Sequence, residues 1–123
     1  MPDPVLVAVP DLIFRAKIAE AARQCGREAI PATTPEAVLE KAKARRPGIV
    51  VVDLGDERIA PAATIRALKS DPETSAALVV GFFSHVMIAQ KTSALEAGCD
   101  LVLPRSAFVA ELPSLMASAG EEA

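Results

Sequence analysis

Pro47-Gly48-Ile49-Val50-Val51-Val52-Asp53-Leu54-Gly55-Asp56 is the stretch that decides how this chain folds. Four β-branched residues in succession, closed by a carboxylate, read as a strand buried on both faces of a parallel sheet. Such strands are continuously apolar rather than alternating. Three further runs share the character: Val5 to Val9, Leu78 to Val80 continuing through Gly81-Phe82-Phe83, and Leu101 to Leu103. A weaker fifth run, Arg27 to Pro31, suits an edge strand, because proline in a central strand would remove a ladder donor.

The segments between these runs have helical character. Asp11 is placed to cap a helix whose Phe14, Ile18, Ala21, Ala22 and Cys25 share one stripe, with Gly26 as its stop. Thr34-Pro35-Glu36 combines a capping hydroxyl, a proline at the first helical position and an acid in the first turn. A third helix is expected over Ala62 to Lys69, closed by Ser70-Asp71-Pro72. The fourth is expected from about Ser84 to Ala97, with Gly98 as its stop. A fifth follows Ser106, with Pro113 in its first turn or kinking it. Five strands alternating with five helices imply right-handed crossovers and an α/β sheet covered on both faces.

Composition agrees with a single soluble domain over 1–123, with a core over about 4–116 and a frayed tail over 117–123. The 123 residues are 51% hydrophobic and 24% charged, which is ordinary globular usage rather than disorder. A net charge of −3 gives no electrostatic reason to expect nucleic acid or an anionic membrane as partner. No apolar run approaches the roughly 20 residues that span a bilayer. Met1-Pro2-Asp3-Pro4 lacks the basic start of a signal peptide, so a cytoplasmic location is expected. Cys25 and Cys99 have no CxxC spacing and read as reduced, partly buried thiols, with a disulfide or a metal site as the alternatives. The one histidine, His85, forms no ligand cluster by itself. The basic stretch Lys41, Lys43, Arg45 and Arg46 reads as a solvated helix end that complements the helix dipole, with a docking patch as the other reading.

In open α/β sheets, ligands bind beyond the carboxyl ends of the strands. Here those ends carry Pro10 and Asp11, then Asp53 to Glu57, then Phe83, Ser84 and His85, and finally Pro104, Arg105 and Ser106. A carboxylate at the end of the most hydrophobic strand, facing a cation two strands away, is the main chemical feature.

Over about residues 4–116 the chain resembles the receiver domain of bacterial response regulators, the CheY-like family with a flavodoxin-like three-layer sandwich. Pro47 to Leu54 is similar to the phosphoacceptor strand of that family. Leu68-Lys69-Ser70-Asp71-Pro72-Glu73-Thr74 before an apolar strand, Glu96-Ala97-Gly98-Cys99-Asp100 before the last strand, and Glu28 to Leu39 also match it. The resemblance implies the strand order 2-1-3-4-5 and the phosphoacceptor at Asp53. It implies Mg²⁺ held by an acidic pair, the acceptor and a backbone carbonyl, here Gly55. The acidic pair falls on Val9 and Pro10, with Asp11 one position late, so Asp11, Asp53 and Gly55 are the metal candidates, and Mg²⁺ is expected only if phosphorylation operates. The hydroxyl position falls on Phe83, with Ser84 next to it. The lysine position holds Arg105, whose fork suits Asp53 or a phosphate; the proline after it is Ser106, and the switch aromatic is Val102.

The reading that follows is a pseudo-receiver of a two-component or phosphorelay pathway that acts by protein–protein contact and is not an enzyme. Its expected partner is another signalling protein or a second copy, through helix four, strand five and helix five around Met87, Lys91, Val102 and Phe108. The alternatives are a working receiver phosphorylated on Asp53 and, more remotely, a flavodoxin-like cofactor-binding domain. The last would want a Gly- or Ser/Thr-rich phosphate loop where Val9-Pro10-Asp11-Leu12 stands.

Overall fold

The computed structural model describes residues 2–84 and 88–118. Five strands are laid down in alternation with five helices: β1 (Val5–Ala8), α1 (Leu12–Gln24), β2 (Ala29–Pro31), α2 (Pro35–Arg45), β3 (Ile49–Asp53), α3 (Pro61–Ser70), β4 (Leu78–Phe83), α4 (Ile88–Ala97), β5 (Leu101–Pro104) and α5 (Arg105–Ser118). A 3₁₀ turn, Glu57–Ile59, interrupts the loop after β3. All pairings are parallel, and the sheet runs β2-β1-β3-β4-β5, the order expected.

Alternate residues of the central strands feed two separate cores. Leu6, Val50, Val52 and Val79 pack with Val38, Ile65, Leu68 and Ala94, so α2, α3 and α4 cover one face. Val5, Val7, Ile49, Val51 and Val80 pack with Phe14, Ile18, Phe108 and Met116, so α1 and α5 cover the other. Burial on both sides is why the run Ile49 to Val52 needs no polar alternation.

Local signals set the helix starts. Asp11 Oδ1 accepts from the Ile13 and Phe14 amides, and the Thr34 hydroxyl accepts from Ala37 N ahead of Pro35. Gly98 follows α4 at a φ of 106°, a backbone that disfavours any side chain.

Four expectations need correction. Strand five, at the sheet edge as the order 2-1-3-4-5 implies, is not buried on both faces; Leu101 is 38% exposed. Strand two begins at Ala29, because Arg27 turns inward instead of pairing. Only 3% exposed, Arg27 donates from Nε to Met116 O (2.5 Å) and from Nη1 to Asp3 O (2.7 Å), closing the end of α5. Helix five starts at Arg105, ahead of the expected Ser106, and of the two placements expected for Pro113 the structure has the one inside the helix, on an exposed position. Phe108, expected on a contact surface, is fully buried in the α1/α5 core. His85 and Met87, with residues 119–123 of the expected tail, lie outside the described residues.

Candidate functional site

Parallel strands deliver their carboxyl ends to one edge, so Asp11, Asp53, Ser84 and Arg105 gather at one end of the sheet. Asp53 is the last residue of β3, opposite Phe82 of β4. Its backbone is held because Leu54 N continues the ladder to Phe82 O at 2.9 Å. Among the described residues the half-buried carboxylate accepts one hydrogen bond, from Gly55 N at 3.0 Å, within its own loop. Burial raises its pKa above the ordinary aspartate value; the Gly55 amide and the more distant Arg105 oppose this, and the charges of Asp56 and Asp11 add to it. Desolvation therefore outweighs the neighbouring cation.

The other charges at this end are engaged elsewhere. Asp11 commits an oxygen to capping α1. Asp56 caps the 3₁₀ turn and is gripped by Arg58, with Nε at 3.0 Å and Nη2 at 2.8 Å. That fork lowers the Asp56 pKa and raises that of Arg58. Arg105, at the first position of α5, does not reach Asp53. Its guanidinium carbon sits 4.0 Å from the centroid of the Phe14 ring, and Nη1 makes a long contact of 3.5 Å to Ser84 Oγ. Phe14 in turn packs on Phe82 (4.9 Å between centroids) and Phe108 (5.9 Å), and Phe82 stacks on Phe108 at 5.1 Å.

The implied Mg²⁺ site does not fit these residues. Val9 is completely buried and Pro10 has no donor, which leaves the strand-one side without a ligand other than the capping Asp11. Gly55 offers a carbonyl, but among the described residues no three acidic, histidine or cysteine side chains are grouped to hold a metal. Phe83, at the hydroxyl position, packs against the α2–α4 core, and so does Val102, at the aromatic position.

Of the expected contact residues, Lys91 is exposed, Val102 is partly exposed, and Phe108 is withdrawn by its burial. Five exposed apolar residues escaped the sequence reading: Leu12 (69%), Ile13 (84%), Ile88 (73%), Leu95 (50%) and Leu101. The signal was present for two of them, because positions 88, 91 and 95 fall on one helical stripe. Phe14 and Arg58 were also missed as neighbours of the site; Arg58 stands two residues from Asp56 in the same loop, whereas nothing local to Phe14 announces its role.

No family model matches the chain, and no curated protein matches it. Solved structures do. A protein assigned as a response regulator from Chloroflexus aurantiacus J-10-fl is 18% identical, with a TM-score of 0.85 over 99% of this chain and 100% of that one. The chemotaxis response regulator CheY4 of Vibrio cholerae is 14% identical, with a TM-score of 0.81 over 94% and 97%. A response regulator from Thermotoga maritima is 16% identical, with a TM-score of 0.78 over 99% and 100%. A neighbour at 12% identity, Rcp1, was solved in a Mn²⁺-bound form, with a TM-score of 0.75 over 99% of this chain and 97% of that one. The chain has the fold of the CheY-like receiver domain. Among the described residues no helix is long and apolar enough to cross a membrane.

Proposed function

We propose that this chain is a receiver-like module of two-component signalling that acts through protein–protein contact, as a non-enzymatic pseudo-receiver in the cytoplasm. Residues 1–123 are read as one domain with its core over about 4–116. The observation that carries the reading is the separation of the charges at the sheet end. Among the described residues Asp53 is served only by its own loop amide, while Arg105 rests on Phe14 and Asp11 caps a helix. Phosphoryl transfer to a carboxylate relies on cations gathered around it, and here the strand-one ligands are Val9 and Pro10.

The contact surface is the α4–β5 face, where Ile88, Lys91 and Leu95 form an exposed stripe on α4 and the edge strand β5 carries the exposed Leu101 and the half-buried Val102. An exposed apolar stripe on a sheet edge favours association with another signalling protein or a second copy of the chain. Mg²⁺ enters only under the second reading, a working receiver, which the position of Asp53 favours. Incubation with Mg²⁺ and acetyl phosphate, followed by intact-mass measurement, tests the choice. The expected result is no phosphoryl gain; a gain abolished by Asp53→Asn overturns the pseudo-receiver.

A further inference from the structure

We propose that Phe14 is a positioning residue that seats the Arg105 guanidinium away from Asp53, so that cation and carboxylate at this end of the sheet stay apart while the seat is occupied. Arg105 is half-buried, and among the described residues no carboxylate lies within ion-pair distance of it. Its polar contact is the 3.5 Å approach to Ser84, at the limit of a hydrogen bond. What holds it is the ring 4.0 Å below.

The seat is rigid. Phe14 is only 3% exposed and is braced from below by Phe82 and Phe108, so it cannot follow the guanidinium if Arg105 leaves. The competing attraction is real but long-range, since the charge of Arg105 lowers the Asp53 pKa only as a minor influence. A partly desolvated cation–π contact is worth at least as much as a partly exposed ion pair, so the ring wins. The other charged groups facing Asp53 do not replace Arg105: Asp11 and Asp56 are anionic like Asp53 itself, and Arg58 is held in the Asp56 fork. This inference extends the pseudo-receiver reading by naming what keeps the site disassembled, and its test does not use phosphorylation.

Two measurements on the whole chain decide it. In the unaltered protein, the Arg105 Nε–H proton resonance is expected upfield, with NOE contacts to the Phe14 ring; an unshifted resonance without those contacts overturns the proposal. A double-mutant cycle of Asp53→Asn with Arg105→Gln then reads their coupling from unfolding equilibria, first with Phe14 present and again combined with Phe14→Leu. The expected coupling is near onefold with Phe14 and about threefold or more after Phe14→Leu, as Arg105 turns to Asp53. Equal coupling in the two backgrounds refutes the seat, and a merely structural role for Phe14 would leave the coupling unchanged. If Phe14→Leu does not fold, the resonance in the unaltered protein stands as the deciding result. Phosphoryl uptake on Asp53 would sink the pseudo-receiver reading and leave this cycle standing.

Discussion

Gly81→Ala is expected to destabilise the domain through a contact that also governs the candidate site. Gly81 lies mid-strand in β4, opposite Val52 of β3 and Val102 of β5. A methyl group there would meet Leu54 at 2.8 Å from Cδ2 and 2.9 Å from both Cδ1 and Cγ. All three carbons are too close, so rotating the isobutyl end cannot relieve the clash. Leu54 is also 1% exposed, with its amide fixed to Phe82 O, and has no open space to move into. Overpacking of this kind costs ~1–3 kcal/mol, and replacing a strand glycine by alanine returns ~0.5–1 kcal/mol of backbone entropy. The net loss is about 1–2 kcal/mol, visible as a lower urea midpoint at unchanged slope and a Tm lower by roughly 4–8 °C. Leu54→Ala alone costs ~2–5 kcal/mol, and combined with Gly81→Ala the loss falls short of the sum by ~1 kcal/mol or more. A neutral or stabilising Gly81→Ala, or strict additivity with Leu54→Ala, would refute the packing argument. Because Leu54 follows Asp53 directly, the amide signals of Gly55 and Asp56 are expected to shift in the same variant.

Asp53→Asn is expected to stabilise the fold at neutral pH. A raised carboxylate pKa means that the native state favours the protonated form, so its contribution is fully present below the unfolded-state pKa and is lost as pH rises through the native value. Denaturation curves of the two proteins should converge as pH falls into the ordinary aspartate range; a gap that widens in acid contradicts the burial argument. Arg27→Met is expected to cost about 2 kcal/mol, because it strands the Met116 and Asp3 carbonyls while relieving a buried cation. Calorimetry showing an unchanged Tm would show that those two hydrogen bonds contribute nothing net. Burial pushes the Cys99 thiol up to about 11, whereas Cys25 is partly exposed. A disulfide reagent at pH 8 should therefore modify Cys25 in the native protein and Cys99 only after denaturation; equal rates would contradict the buried placement of Cys99.

Much of the architecture was legible in the chain because its causes are local. The β-branched run ending at Asp53, the caps at Asp11 and Thr34, and Pro31 at a sheet edge each act within a few residues. The edge position of β5 followed from the implied strand order, but the exposure of Leu101 was not legible, since Leu101 to Leu103 is as apolar as a central strand. Nor was the fate of Phe108, which looks like a surface aromatic until it is found against Phe82 and Phe14.

The candidate site divides in the same way. That a carboxylate, a serine and an arginine follow successive strands and meet at one edge was readable from the chain alone, because a parallel sheet brings all its carboxyl ends together. So was the fact that Val9 and Pro10 bring no metal ligand. Which partner Arg105 takes depends on the packed fold. Asp53 and the Phe14 ring lie far from Arg105 along the chain, and the choice between them turns on how α1, β4 and α5 pack. Burial of Arg27 was decided the same way, since its acceptor Met116 is 89 residues distant. Hydrophobic runs and caps are properties of neighbouring residues, whereas the partner of a charged side chain is set by which surfaces the finished fold brings within a few ångströms.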